Sequence, residues 1–246
     1  MKYLRDIGSY FLMLKKVFSS PTKRSVMKEL IFKEIDDLII RSLGIVSFIS
    51  FFIGGVIAIQ TALNLDNPLI PKTLIGFATR QSMILEFAPT FMSIILAGRA
   101  GSFITSTIGS MRVTEQIDAL EVIGVNSLNY LVFPKIIAML FFPFIIVISM
   151  FLGMLGGYLA GVYGGFSSSA DFITGLQNTF YPFHLVYAFF KTFLFAFLLA
   201  TIPSWHGYYM TGGSLEVGKA STKAFVWTSI LIILTNYIVT QLLLSQ

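Results

Sequence analysis

Gly213-Ser214-Leu215-Glu216-Val217-Gly218-Lys219 fills a G-x-x-x-x-G-K pattern, the loop in which backbone N–H groups cradle phosphates and the next Ser or Thr hydroxyl holds Mg²⁺. Here the next residue is Ala220 and no buried strand leads into the loop, so the motif does not predict nucleotide binding. His184 and His206 would stand about 33 Å apart on one helix, too far to share a metal. The chain has no cysteine, which excludes a disulfide framework, a thiolate metal site and a thiol nucleophile. Ser214 follows two glycines in what reads as a loop, with no evident base to activate it. No catalytic residue and no metal site is expected.

Three ionisable residues stand in apolar surroundings: Glu86, Arg99 and Lys191. A charge at mid-membrane costs about 2.5 to 3.5 kcal/mol on insertion scales, so such residues face a bundle interior or a water-filled cavity. They are therefore the candidates for a substrate pathway. Plainer readings stand beside that one: snorkelling for Lys191, an interfacial position for Glu86, and structural pairing or capping for Arg99.

Residues 111–126, MRVTEQIDALEVIGVN, read as a short helix. Thr114 is the expected N-cap, Glu115 complements the helix dipole, and Gly124 is suited to the position just past the end. Ile117, Leu120 and Ile123 form an apolar stripe, while Glu115, Asp118 and Glu121 give an acidic face suited to a basic partner. A solvated surface helix is the alternative.

The elements that must hold these residues follow from composition. Of 246 residues, 55% are hydrophobic and 12% charged, against about 25% charged in soluble domains. The chain is expected to be an all-α polytopic membrane protein. Five apolar runs, at 43–63, 87–109, 136–163, 183–203 and 224–244, make a five-span domain over 43–246. The third run exceeds the roughly 20 residues a span needs, so it is expected to tilt. Asp66-Asn67-Pro68 marks a turn after the first run.

Residues 1–42 read as a cytoplasmic or interfacial segment without the apolar core and cleavage site of a signal peptide. Leu4, Ile7, Phe11, Leu14 and Phe18 recur at helical spacing among Lys2, Arg5, Lys15 and Lys16, an amphipathic pattern suited to the headgroup layer. Ser20 and Pro21 are expected to start a second helix, supported by Glu29–Lys33 and Asp37–Arg41 pairs. This hairpin either rests on the membrane face or moves with a transport cycle. Fourteen of the 17 Lys+Arg lie on one side of the predicted spans and only Lys72 and Arg80 on the other. The positive-inside rule then puts the N-terminus in the cytoplasm and the C-terminus outside. The net charge of +5 is read as this topological bias rather than as a nucleic-acid footprint. Gly153, Gly157, Gly161 and Gly165 recur every fourth residue, a face on which helix backbones approach closely.

Residues 97–138, AGRAGSFITSTIGSMRVTEQIDALEVIGVNSLNYLVFPKIIA, closely resemble the signature region of the MlaE/YrbE family, permease subunits of ABC-type lipid transporters that work with MCE-domain proteins. Further matches are the approach from Glu86 to Pro89, Lys191 in FFKTFLFA, and residues 211–226, TGGSLEVGKASTKAFV. The resemblance implies a homodimer of five-span subunits in the bacterial inner membrane, each preceded by an interfacial helix. It implies a coupling helix on Glu115, Gln116, Ile117, Asp118, Leu120, Glu121 and Ile123, docked on a cytoplasmic ABC ATPase. That partner would bind ATP and Mg²⁺, leaving this chain no cofactor of its own and no hydrolytic activity. It further implies a phospholipid passed to or from a periplasmic MCE-protein assembly, in service of outer-membrane lipid asymmetry, with Glu86, Lys191 and Arg99 along the pathway. Where the family often has Arg-Glu-Leu-Gly-Pro, this chain has Leu85-Glu86-Phe87-Ala88-Pro89, leaving Arg80 as the candidate replacement for the missing cation. Two other classes compare poorly. An intramembrane lipid-modifying or proteolytic enzyme needs a clustered nucleophile and base, and an ion-coupled secondary transporter is usually built from two repeated halves.

Overall fold

The computed structural model describes residues 2–19, 23–65 and 70–244. Ser20, Pro21 and the Asp66-Asn67-Pro68 turn lie outside them. Among the described residues every regular element is helical. In chain order they are α1 (Lys2–Val17), α2 (Arg24–Leu38), a 3₁₀ turn (Ile40–Ser42), α3 (Leu43–Leu63), α4 (Thr73–Ser82), a π-helical stretch (Met83–Phe91), α5 (Met92–Leu96), a second π-helical stretch (Ala97–Gly101), α6 (Ser102–Val113), α7 (Gln116–Val122), α8 (Ser127–Met139), α9 (Phe142–Tyr163), α10 (Ser169–Gln177), α11 (Phe183–Tyr208) and α12 (Ser214–Leu244). Five stretches are long and apolar enough to cross a membrane: Arg24–Leu63, Thr73–Val113, Ser127–Tyr163, Phe183–Tyr208 and Ser214–Leu243. The chain is an all-α polytopic membrane protein.

The residues fall into two compact units. The first contains Met1–Ser42, Ile94–Phe142 and Leu194–Ile238. Within it, α1 buries Met13 and Val17 and leaves Leu4, Ile7 and Phe11 of the predicted stripe exposed, as is Phe18 just past its end. The helix is held by polar contacts: Tyr10 Oη lies 2.7 Å from Thr201 Oγ1, and Trp205 Nε1 donates to Ser9 Oγ at 3.0 Å. The orphan carbonyls that every helix leaves at its C-terminus find donors in α8 and its cap. Asn126 Nδ2 donates to Lys16 O and Ser19 O, and Asn129 Nδ2 to Val17 O at 2.7 Å. Helix α2 packs on α8, where the buried Lys135 ammonium pairs with Glu34.

The second unit contains Leu43–Ser93, Pro143–Phe193 and Val239–Gln246. Here α3 and α9 meet through glycine. A Cβ added at Gly54 would fall on the Gly153 carbonyl, and one at Gly156 on the Phe51 carbonyl. Ser50 Oγ and Ser149 Oγ, 2.6 Å apart, close a hydrogen bond across the same crossing. Helix α10 packs on α4 in the same manner, Gly76 against the Phe172 carbonyl and Gly175 against the Thr73 carbonyl.

Several details differ from the sequence reading. The long third run is not one tilted helix; it is divided by a turn between Met139 and Phe142. Pro143 explains the break, since it has no N–H for the Met139 carbonyl and its ring clashes with that carbonyl in a continuous helix. Gly165 leaves the face formed by Gly153, Gly157 and Gly161: α9 stops at Tyr163, and Gly165 has φ 75° with open space around its Cα. It is a terminator, not a packing residue. Gly213 to Lys219 forms no phosphate loop, because α12 begins at Ser214 and Lys219 pairs with Glu216 one turn earlier, at 2.6 Å.

Candidate substrate-pathway site

Pro89 shapes the region around Glu86. It sits inside a helix that continues on both sides, and the chain absorbs it by widening into the π-helical stretch Met83–Phe91. Such bulges occur often at functional sites. Gly153 of α9 makes room for the first residue of the stretch, since a Cβ there would meet the buried Met83 side chain. In the i→i+5 register of this stretch the N–H that proline lacks would serve the Ile84 carbonyl. Lys191 Nζ donates to the neighbouring Leu85 carbonyl at 2.9 Å.

The Lys191 side chain is 0% exposed. An ammonium has three donors and no acceptor, and here each donor has a partner: Leu85 O at 2.9 Å, Glu86 Oε1 at 3.0 Å and Tyr187 Oη at 3.0 Å. Tyr187, one turn before Lys191 on α11, lies 2.7 Å from Thr240 Oγ1 of α12. Thr90 Oγ1 donates to the other oxygen of Glu86 at 3.1 Å. One polar chain thus links the π-helical stretch, α11 and α12. Its buried end is the cation; its outer end is the Glu86 carboxylate, 42% exposed. Lys191 does not snorkel in this arrangement. Removing Glu86 would strand the enclosed Lys191 ammonium, and an uncompensated buried charge costs about 3 to 5 kcal/mol.

Arg99 occupies the second π-helical stretch, in the first unit. Its guanidinium donates to the Asp37 carbonyl at 3.3 Å and to the buried Ser42 hydroxyl. It therefore caps the end of α2, while the carboxylate that pairs with Lys191 is Glu86. Arg80 is committed to another helix end, donating to Leu176 O, Asn178 O and Thr179 O just beyond and within the last turn of α10.

The acidic stretch forms α7, with a different start from the one expected. Thr114 does not cap it; the Thr114 hydroxyl donates back to Ser110 O, still in the register of α6. Glu115 makes the corner with φ 58°, a conformation uncommon outside glycine. Gly124, at φ 79°, ends the helix as expected, with Val125 N–H on Leu120 O and Gly124 N–H on Glu121 O. Ile117 is buried and Leu120 half-buried, whereas Gln116 is exposed and Ile123 is 72% exposed beside Val122 at 87%. Two of the acids have partners in the unit. Asp118 pairs with Arg112 at 2.8 Å, and Glu121 Oε1 accepts from Ser127 Oγ and Tyr208 Oη, each at 2.9 Å. These two hydroxyls hold the Glu121 carboxyl below the usual carboxylate range, Ser127 foremost.

Residues 31–242 match the family model described as Permease MlaE. The chain belongs to the MlaE permease family. It is similar to a probable ABC transporter permease protein of Rickettsia conorii, 33% identical over 98% of this chain and 93% of that protein. It is 32% identical to a probable ABC transporter permease of Synechocystis, over 82% of this chain and 77% of the relative. The intermembrane phospholipid transport system permease protein MlaE of Haemophilus influenzae is 28% identical over 98% and 93%. This MlaE-family chain is a multi-pass ABC transporter permease. Tyr187, Thr240 and the Leu85 carbonyl of the permease were absent from the sequence-derived site. Tyr187 was within reach of sequence reasoning, being one helical turn from Lys191 and so on the same face. Thr240 and Leu85 carried no comparable signal.

Proposed function

We propose that this chain is the membrane subunit of an ABC system that moves phospholipid, and that Glu86 and Lys191 recognise the polar headgroup. The observation that carries this reading is the ion pair inside the spans, with its lysine fully enclosed and its carboxylate reaching the surface. A zwitterionic or anionic headgroup offers both signs of charge, so it can exchange hydrogen bonds with the pair while the acyl chains stay against apolar wall. Arg99, as the cap of α2, holds that helix end rather than the lipid itself. The Haemophilus relative, named as a phospholipid transport permease, supports the choice of substrate. Hydrolysis of ATP belongs to a separate ATPase with its own Mg²⁺. The assembly is completed by a second copy of this chain and, on the far side of the bacterial inner membrane, by an MCE-domain protein; the role is lipid exchange that maintains outer-membrane asymmetry. Purifying the chain from native membranes and identifying co-purifying proteins and lipids by mass spectrometry tests this. An ATPase, an MCE protein and phospholipid are expected, and recovery of a homodimer without any of them would defeat the reading.

The N-terminus is assigned to the cytoplasm and the C-terminus to the periplasm on the asymmetry of Lys and Arg. Reporter fusions before Met1 and after Gln246 should read on opposite sides. Both ends on one side would break the five-span arrangement.

Helix α7 is the docking element for the ATPase. Val122 and Ile123 project from it without cover in this chain, and burial of such side chains is worth about 1.5 to 3 kcal/mol each. Val122→Asp is expected to lower ATPase recovery at least about tenfold, as the loss of one such contact implies, while membrane insertion and dimer yield stay normal. Undiminished recovery would remove α7 from the docking site.

A further inference from the structure

We infer that Tyr208 is a transmission residue, fastening α7 to the end of α11 so that movement of the docking helix reaches the helix that carries Lys191. The inference rests on the reading of α7 as the ATPase-docking element. Three oxygens from three segments form a closed triangle: Tyr208 Oη and Ser127 Oγ stand 2.8 Å apart, and both are 2.9 Å from Glu121 Oε1. Ser127, the first residue of α8, and Tyr208, the last residue of α11, are both buried. Only Glu121 belongs to α7.

A second strap runs in parallel. The Arg112 guanidinium lies 6.0 Å from the centre of the Tyr208 ring and pairs with Asp118 of α7. Two acids one turn apart on α7 are therefore tied to one tyrosine, the first through the ring and the second through the hydroxyl. Ile117 of α7 is also buried in the unit, an apolar contact without direction. A helix of only seven residues held in this way moves as a body. The hydrogen bonds to Glu121 involve a charged acceptor and are directional, so they transmit displacement along α11 where greasy contact would slip. Helix α11 continues unbroken from Tyr208 back to Lys191 and Tyr187.

The chain has no cysteine, so a single spin label at Phe193→Cys, an exposed position of α11, reports that helix in the intact complex with its ATPase. Trapping the ATPase with ATP and vanadate is expected to change the spectrum of the label. Tyr208→Phe, which keeps the ring under Arg112, and Ser127→Ala, which removes another corner, should each lose most of that change while the complex still assembles. In proteoliposomes, ATP hydrolysis should persist while lipid moved per ATP falls about tenfold, the scale set by one hydrogen bond to a charged group. A full spectral response in both variants would overturn the inference, as would a label that never responds in the unsubstituted complex. A responding label with no lipid movement in the unsubstituted complex would instead defeat the phospholipid reading and leave the joint standing.

Discussion

Lys191→Met is expected to reduce both the folded permease recovered and the lipid that travels with it. Methionine keeps most of the apolar stem but removes the donors to Leu85 O, Glu86 Oε1 and Tyr187 Oη. The Leu85 carbonyl then loses its side-chain donor, and Glu86 loses the ammonium that pairs with it. The charge left behind is the Glu86 carboxylate, 42% exposed, so the cost falls below the value of about 3 to 5 kcal/mol for a fully buried pair, yet it is a sizeable share of the stability of a typical domain. Lys191→Ala adds a cavity and should be worse. Structure and recognition separate in the double variant Glu86→Gln with Lys191→Met, which removes both charges together. Replacing a whole buried pair by neutral groups is often nearly neutral for stability, so yield is expected to return towards normal. Co-purifying phospholipid should nevertheless stay down by about tenfold or more, since a headgroup contact involving a charge is worth upwards of about 1.4 kcal/mol. Normal lipid occupancy and transport in the double variant would reduce the pair to a structural bolt.

What the sequence made legible follows the range of its signals. Spans announce themselves through uncharged runs, because burial in lipid constrains every residue of the run. Glu86 and Lys191 stood out for the same reason, and the resemblance to MlaE permeases placed them together before the geometry did. Pro89 and Pro143 were visible as residues, but their effects were not. One lies in a π-helical widening whose residues meet Gly153 of α9 and Lys191 of α11; the other stands at the turn between α8 and α9. The choice depends on neighbours distant in sequence. The triangle of Glu121, Ser127 and Tyr208 was beyond reach for that reason: its members are ordinary polar residues on three segments, and each alone looks like a solvated side chain or a span end. Thr114 misled because a good capping residue can instead bond back into the preceding helix, which moves the corner to Glu115.

The glycines show the same limit most sharply and support the second large expected effect. A spacing of four finds one face of one helix, so the sequence offered Gly153, Gly157, Gly161 and Gly165 as equals. The geometry ranks them otherwise and adds two that the period missed. Gly54 and Gly156 face backbone carbonyls across the α3–α9 crossing, Gly153 and Phe51 respectively, and a carbonyl fixed in a helix cannot swing aside as a side chain can. Gly54→Ala and Gly156→Ala must therefore push the two helices apart, undoing the Ser50–Ser149 hydrogen bond and the seat of Met83 that begins the π-helical stretch. Overpacking a tight core costs about 1 to 3 kcal/mol even where side chains can yield. Each variant is expected to lower recovery of folded protein severalfold and to broaden its elution in detergent. Gly161→Ala meets the edge of the Phe172 ring at 3.2 Å, a neighbour able to shift by tenths of an ångström, and should be mild. Gly165→Ala meets open space and pays only for its left-handed backbone, about 1 to 2 kcal/mol, so it should lower thermal stability without separating α3 from α9. Measuring folded yield and melting temperature across these four variants tests the ranking. Equal losses at Gly54, Gly156 and Gly161 would mean that helix spacing relaxes freely and that backbone contact does not position Glu86.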